Sequence, residues 1–415
     1  MPAADTIASL TESGLRGPGS DAERRAALSL EEELRAGGRS VAIEPFWCRP
    51  NWALAHASHA LLGLAGGLVA VSDPTVGGLM VLAALLSVLA DAATGISLGR
   101  RLTPERASQN VVSLVDPAEG DPLKDSRVRL ILTANYDAGR MGVVYRNGPR
   151  RIAARVHRAT GGRAPGWLAW FALALWWLLA VAVARYHGAH GTAIGLLQLP
   201  PTIGLVLAVA LLIELATAPP GPAAADNGSG VAVTIALARA LDASAPSRLA
   251  IEVVLAGAGD GGGIGLRRHL RRRRRELTPE NAIVLGISAC GAGSPRWWHS
   301  DGALVPLAYH RRLRELCAGI ARQDPELGLA PHRGRGATPA LSGRIAGVPS
   351  IAIGCLDGRD LVPGSHQPAD TPAAVDRAAV DATLELALML VDEIDAEVAR
   401  TSAARAAPKP AVTTA

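Results

Sequence analysis

Four long apolar stretches divide the chain into membrane-type and globular parts. They cover residues 52–72, 77–98, 166–184 and 193–217. Each is close to the length of about 20 apolar residues that an α-helix needs to cross a bilayer. The stretches form two pairs with short connections, so the pattern predicts two transmembrane helical hairpins, four spans in all.

The hairpins interrupt a globular domain, because helix and strand patterns lie before, between and after them. We predict globular parts at residues 1–50, 100–163 and 218–399, hairpins at residues 51–99 and 164–217, and a disordered tail at residues 400–415.

Apolar strands alternate with amphipathic helices in the globular parts. A helix at residues 21–38 precedes an alternating strand at residues 41–46. Further strands are predicted at residues 128–134, 248–256, 282–288 and 350–354, and helices at residues 230–241, 264–276, 307–323 and 373–398. This alternation predicts an α/β fold, with helices on both faces of a sheet.

Arginine placement sets the predicted orientation. The chain has a net charge of +5, and Lys124 and Lys409 are its only lysines. The hairpin turns carry one arginine, Arg185, whereas arginines are frequent on the domain side of the spans: Arg100, Arg101, Arg106, Arg146, Arg150, Arg151, Arg155, Arg158 and Arg163. The positive-inside rule therefore predicts a protein of the cytoplasmic membrane whose globular domain and termini are cytoplasmic. This charge pattern does not indicate nucleic acid as a partner.

A dense basic run lies in the helix predicted at residues 264–276. Besides Arg267 and Arg268, it contains Arg271, Arg272, Arg273, Arg274 and Arg275. Such a run suits contact with anionic headgroups of the bilayer on the cytoplasmic side. A basic helix face in water is the competing interpretation.

Ionisable residues inside the predicted spans raise a transport hypothesis, because such groups are costly in a membrane and are often functional. They are His56, His59, Asp91 and Glu214. His56 and Glu214 lie near span ends, where side chains can reach the headgroups. The transport hypothesis therefore depends on Asp91.

Three polar motifs lie at strand ends or helix starts, where ligands bind in open α/β sheets. Asn135, Tyr136 and Asp137 follow one strand. Residues 226–230 (DNGSG) open a helix, and residues 365–372 (SHQPADTP) precede the last helix.

The order of these motifs resembles the di-zinc aminopeptidase family of the MH clan. That family includes leucyl aminopeptidases, glutamate carboxypeptidases, glutaminyl cyclases and the transferrin receptor ectodomain. Residues 15–20 (LRGPGS), 110–112 (NVV) and 255–265 (LAGAGDGGGIG) extend the similarity over most of the non-membrane chain. The resemblance implies a zinc-exopeptidase-like mixed sheet sandwiched by helices.

The resemblance also implies a metal centre that has lost ligands. Asp226 stands at the bridging carboxylate, His366 at the last ligand, and Asp260 in place of a ligand glutamate. These three residues form a candidate site for a single zinc, with open positions for water.

Other positions depart from the family. Asn135 replaces the first ligand histidine, although Asp137 keeps the acid that orients it. Ser288 replaces a ligand carboxylate, and Gly259 replaces the general-base glutamate, so no catalytic residue is assigned. A general base contributes about 10²–10⁴-fold to a rate.

We therefore expect a pseudo-peptidase that binds a peptide, lipid or protein partner through the remnant cleft. The alternative is a single-zinc membrane-bound aminopeptidase or related hydrolase. A simpler interpretation of Asp226 is a helix N-cap.

A different class of function follows from residues 257–262 (GAGDGG), a GxGxxG motif between a strand and a helix. Such glycines allow the phosphates of a dinucleotide to approach a helix N-terminus. Nucleotide binding is thus a second alternative, beside transport.

Overall fold

A nine-stranded mixed sheet forms the centre of the globular part. The structure is a computed structural model that describes residues 3–114 and 127–406. The strands are β1 (Ser40–Cys48), β2 (Arg106–Leu114), β3 (Val128–Asn135), β4 (Leu249–Ala256), β5 (Ala282–Ile287), β6 (Ser294–Asp301), β7 (Leu307–Ala308), β8 (Ala330–Arg333) and β9 (Ser350–Leu356).

The strand order is β1-β2-β4-β3-β5-β9-β6-β7, with β8 paired to β6. The central strands β4, β3, β5 and β9 are parallel, so their carboxyl ends meet at one edge. Both edges of this parallel block pair antiparallel, with β2 on one side and β6 on the other. The central strands are apolar and buried, as expected for strands covered on both faces.

The helices of the globular part are α1 (Ala3–Glu12), α2 (Asp21–Ala36), α5 (Leu98–Arg101), α6 (Asn147–Ala159), α9 (Gly230–Ala243), α10 (Ile264–Arg272), α11 (Arg311–Gln323), α12 (Leu341–Ile345) and α13 (Arg377–Ala406). Helices α1, α2, α9, α11 and α13 form one connected layer, whereas α10 packs on α12. The predicted α/β fold with a mixed sheet and covering helices is confirmed.

Several predicted helix boundaries are corrected. The helix predicted at residues 264–276 ends at Arg272, and the one predicted at residues 373–398 begins at Arg377. The helix predicted at residues 307–323 begins only at Arg311, because Leu307 and Ala308 pair with β6 and the N–H of Tyr309 donates to the carbonyl of His299. At the C-terminus, α13 continues through the alanine-rich end of the predicted tail to Ala406, in keeping with the high helix propensity of alanine. The rest of that tail, residues 407–415, lies outside the described residues.

Four apolar helices form a bundle: α3 (Trp52–Val69), α4 (Pro74–Thr94), α7 (Trp167–Tyr186) and α8 (Thr192–Thr217). Each is long and apolar enough to cross a membrane, and they coincide with the four predicted stretches. Pro200 and Pro201 lie inside α8. At Gly77 a Cβ would meet the backbone of Ala70, so glycine permits α3 and α4 to touch.

The buried acid of this bundle is paired. Asp91 on α4 accepts a hydrogen bond from Nε of Arg100 on α5 at 3.0 Å and lies 3.3 Å from Nε2 of His56 on α3. His59 contacts the hydroxyl of Ser87 at 2.8 Å. These contacts join α3, α4 and α5, so Asp91 has a structural role. The transport hypothesis stays a prediction.

A buried ionic cluster fastens α10 to the sheet. His269 on α10 lies 3.0 Å from Glu44 on β1 and 3.3 Å from Glu252 on β4. Arg273 reaches Glu44 at 2.9 Å. Burial opposes charge on His269, but its contacts with Glu252 and Glu44 prevail and raise its pKa above 6.5. Burial also opposes charge on Glu44, but its hydrogen bond to His269 lowers its pKa to about 2.

The cluster predicts a window of maximal stability. The contribution of Glu44 is complete above its unfolded pKa of 4.5 and is lost as the pH falls towards 2. The contribution of His269 is complete below 6.5 and is lost as the pH rises through its raised pKa. Thermal unfolding of detergent-purified protein against pH should show this window, and H269Q should remove the alkaline loss. An unchanged alkaline profile in H269Q would contradict the assignment.

Candidate functional site

One cavity collects the seven residues that the family resemblance marked. It has a volume of about 1090 Å³ and lies between the carboxyl edge of the parallel strands and the ends of the apolar helices. The marked residues on its wall are Asn135, Asp137, Asp226, Gly259, Asp260, Ser288 and His366. Trp52, Leu89 and Trp167 from the apolar helices line the same cavity.

Asp226 and His366 face each other in one corner, with His366 Nε2 3.9 Å from Asp226 Oδ2. The Nδ1–H of His366 donates to the carbonyl of Arg140 at 2.9 Å, and its ring stacks on Tyr145 with centroids 4.1 Å apart. The hydroxyl of Ser365 donates to Asp226 at 2.5 Å. Nε2 of His366 is thereby turned towards the carboxylate.

Asp226 does not cap the helix that follows it. The N-cap of α9 is Ser229, and no side chain bonds the first turn there, so the N-cap interpretation is wrong. Instead the backbone at Asp226 is held by Asp370, which accepts from the N–H groups of Ala225 at 2.6 Å and Asp226 at 3.0 Å. Burial raises the pKa of Asp370 to about 6. The peptide bond between Asp226 and Asn227 is cis.

Asp137 holds a loop. Its two oxygens accept the N–H groups of Gly259 at 2.7 Å and Asp260 at 2.8 Å. Glu23 accepts the N–H of the preceding residue, Ala258, at 2.7 Å. Burial raises the pKa of both Asp137 and Glu23 above the ordinary values. The carboxylates of Glu23 and Asp137 thus hold loop 257–263 in place.

Residues at the ends of the apolar helices contact the same loop. Trp52 at the start of α3 donates its indole N–H to Asp260 at 3.4 Å. Its ring packs so closely on Gly261 that a Cβ there would collide with it. Arg100, which pairs with Asp91, also reaches the carbonyl of Gly261 at 3.5 Å. Asp260 therefore helps to attach the helix bundle to the globular domain.

Gly259, where the resemblance puts the general base, has no room for a side chain. A Cβ on Gly259 would overlap the amide of Asn135, which occupies the space in front of it. The Oδ1 of Asn135 is buried and has no hydrogen-bond partner among the described residues. Asn135 and Gly259, which both depart from the family pattern, thus fit each other: the amide of Asn135 fills the space that a side chain at position 259 would need.

The remaining donors do not fit the zinc centre that the resemblance implies. Among residues 3–114 and 127–406, no group of three His, Cys, Asp or Glu side chains is arranged to hold a metal ion. Asp260 is engaged by Trp52, and Asp137 by the loop backbone. Asp226, Asp260 and His366 line one cavity without converging on a common point.

The loop also argues against a dinucleotide site. A phosphate cradle needs free N–H groups. Here Glu23 and Asp137 take those of Ala258, Gly259 and Asp260, and the carbonyl of Gly259 takes those of Gly262 and Gly263.

The run of arginines is partly used within the protein. Arg271 donates to the carbonyl of Thr94 at the end of α4, and Arg272 to Pro45 on β1. Arg273 belongs to the ionic cluster around His269, whereas Arg274 and Arg275 are exposed. Contact of these exposed arginines with lipid stays a prediction.

Two site-forming residues were not identified from the sequence. Arg16 is fully buried and donates to the carbonyls of Leu10, Tyr136 and Ala223, tying the N-terminus to the chain beside Asp137 and Asp226. Glu23 is part of a capping box, in which its own N–H donates to Ser20 and its carboxylate accepts from Gly19. The spacing Ser20-x-x-Glu23 was the available signal.

Comparisons with known proteins agree with this fold. Residues 214–391, which include Asp226, Asp260 and His366, match the sequence model of Peptidase family M28. The fold is similar to a zinc aminopeptidase from Bacillus subtilis, with 14% identity, a TM-score of 0.54 and 94% of each chain covered. No curated protein matches the chain.

Two further structures are similar. An aminopeptidase from Aneurinibacillus sp. strain AM-1 has 13% identity and a TM-score of 0.52, over 94% of this chain and 92% of that one. A glutaminyl cyclase from Porphyromonas gingivalis has 14% identity and a TM-score of 0.51, over 94% and 96%. At these identities the likeness is one of fold. The predicted zinc-aminopeptidase-like domain is confirmed to that extent.

We expect G259A to destabilise the protein, because the new Cβ meets the amide of Asn135 and overpacking costs about 1–3 kcal/mol. The double variant G259A/N135A should recover part of the loss in melting temperature. G358A is the matched control, since a Cβ there meets nothing within 4 Å. Equal melting temperatures for G259A and G358A would contradict the packing account.

Proposed function

We propose that this protein is a membrane-embedded relative of the M28 peptidases that does not hydrolyse peptides and binds a ligand in the remnant cleft. One observation carries the proposal: the acids nearest the former metal centre hold loop 257–263 and the helix bundle together. Asp137 binds two loop N–H groups, and Asp260 accepts from Trp52.

The chemistry of hydrolysis supports the same conclusion. A metallopeptidase needs a metal that polarises the scissile carbonyl and a base that activates water. Gly259 and Asn135 pack together where the base would stand, so a carboxylate cannot be accommodated without rearrangement. The cavity has a large volume and several polar groups on its wall, as ligand-binding sites do.

Membrane placement is the second part of the proposal, and helix α6 supports it. Only Ala154 is buried along its 13 residues, while Ile152 and Val156 on the opposite face are 61% and 47% exposed. The helix contains four arginines and no acidic residue, and it ends seven residues before α7 begins. A basic amphipathic helix of this kind suits the anionic surface of a bilayer.

This placement predicts which positions face the cytoplasm. A cysteine introduced at exposed His190, between α7 and α8, should react with a membrane-impermeant maleimide on intact cells. A cysteine at exposed Arg275 should react only after permeabilisation. All four native cysteines are buried, so the parent protein is the unlabelled control. The reverse labelling pattern would overturn the orientation.

Metal content and hydrolysis test the loss of activity. We expect detergent-purified protein, incubated with zinc and washed, to retain no stoichiometric zinc by elemental mass spectrometry. It should also release no product from aminoacyl and peptidyl substrates. About one zinc per chain, lost in H366A together with hydrolysis, would instead establish the single-zinc hydrolase.

A further inference from the structure

The end of the cavity nearest the apolar helices carries an excess of positive charge. Six arginines line it, against three carboxylates, Asp91, Glu105 and Asp260: Arg49, Arg100, Arg101, Arg267, Arg268 and Arg271. Asp91 is already engaged by Arg100. Arg49 lies 3.9 Å from Glu105, so the other four arginines of this end have no ion-pair partner among the described residues.

Arg267 is the least satisfied of these arginines. Its Nε is buried and finds no hydrogen-bond partner, and it forms no ion pair with any described residue. Burial lowers the pKa of this guanidinium; Asp91 opposes that effect, and the neighbouring Arg271 and Arg100 add to it. A buried guanidinium N–H without an acceptor is costly, so an anion is the expected occupant.

The surroundings of Arg267 point to the kind of anion. Its guanidinium lies beside Gly95, just past the end of α4. Leu89, Ile96, Trp167 and Val305 line the same cavity and remain 38%, 53%, 42% and 58% exposed. Apolar side chains that stay exposed beside a cationic pocket favour a ligand with an anionic head and an apolar chain.

We propose that Arg267 and Arg271 bind the phosphate group of an amphiphile whose apolar chain lies over Ile96 and Val305. This inference names the ligand class of the remnant cleft and rests on the membrane placement proposed above. Because α4 ends at Thr94 beside this pocket, a membrane lipid could place its headgroup here without leaving the leaflet. The charged phosphate and the two guanidiniums suit short, charge-assisted hydrogen bonds.

The test compares R267Q with R274Q, which removes the same charge from an exposed position on the same run. Each protein in phosphatidylcholine nanodiscs receives increasing phosphatidic acid, and bound lipid is counted by native mass spectrometry. Loss of one charged contact should weaken binding roughly tenfold in R267Q and leave R274Q like the parent. Equal binding by R267Q and R274Q would overturn the site.

Two further arms separate the sources of phosphate. Inorganic phosphate replaces the lipid in one arm, and short-chain phosphatidic acid in the other, with V305S beside the parent. The amphiphile is supported if longer chains bind more tightly and V305S reduces that difference. Binding of inorganic phosphate, without any effect of the lipid's chain length, would overturn the lipid assignment. R267K keeps the charge. It should therefore bind phosphatidic acid more tightly than R267Q if the loss in R267Q comes from the missing charge and not from misfolding.

Zinc content is measured on the same preparations. A protein that binds zinc and hydrolyses peptides would refute the proposed loss of activity. Failure of phosphatidic acid to bind a zinc-free, inactive protein would refute only the ligand class.

Discussion

The whole arrangement depends on how loop 257–263 is held. Three consecutive N–H groups of this loop donate to the buried carboxylates of Glu23 and Asp137. A buried carboxylate is stable only when donors surround it, so loop and acids depend on each other. Once the loop is fixed there, Asp260 and Gly261 lie where Trp52 and Arg100 can reach them.

This joint explains why the cleft and the apolar helices form one structural unit. Arg100 links the loop to Asp91 inside the bundle and to the carbonyl of Arg49 at the end of β1. At another point of the joint, the N–H of Val143 donates to Glu214 near the end of α8. Removing one partner of the buried pair between Asp91 and Arg100 would leave an uncompensated charge. Asp137 and Asp260, which the resemblance assigns to a metal centre, hold the loop and the helix bundle together here.

The sequence predicted the apolar helices and the central strands well, because both depend on local runs of hydrophobic residues. It also predicted which residues line the cavity, since motif order determines which strand ends carry them. Their partners could not be predicted. Asp137 was expected behind a histidine position and instead binds Gly259 and Asp260, a choice that depends on a loop more than 120 residues away. The pairing of Trp52 with Asp260 spans 208 residues and left no local signal.

An experimental structure of the protein saturated with zinc tests the central claim most directly. The account predicts that Asp260 stays on the indole of Trp52, that Asp137 keeps the N–H groups of Gly259 and Asp260, and that no ion lies between Asp226 and His366. Density for a metal ligated by Asp226, Asp260 and His366, with Asp260 turned away from Trp52, would contradict it.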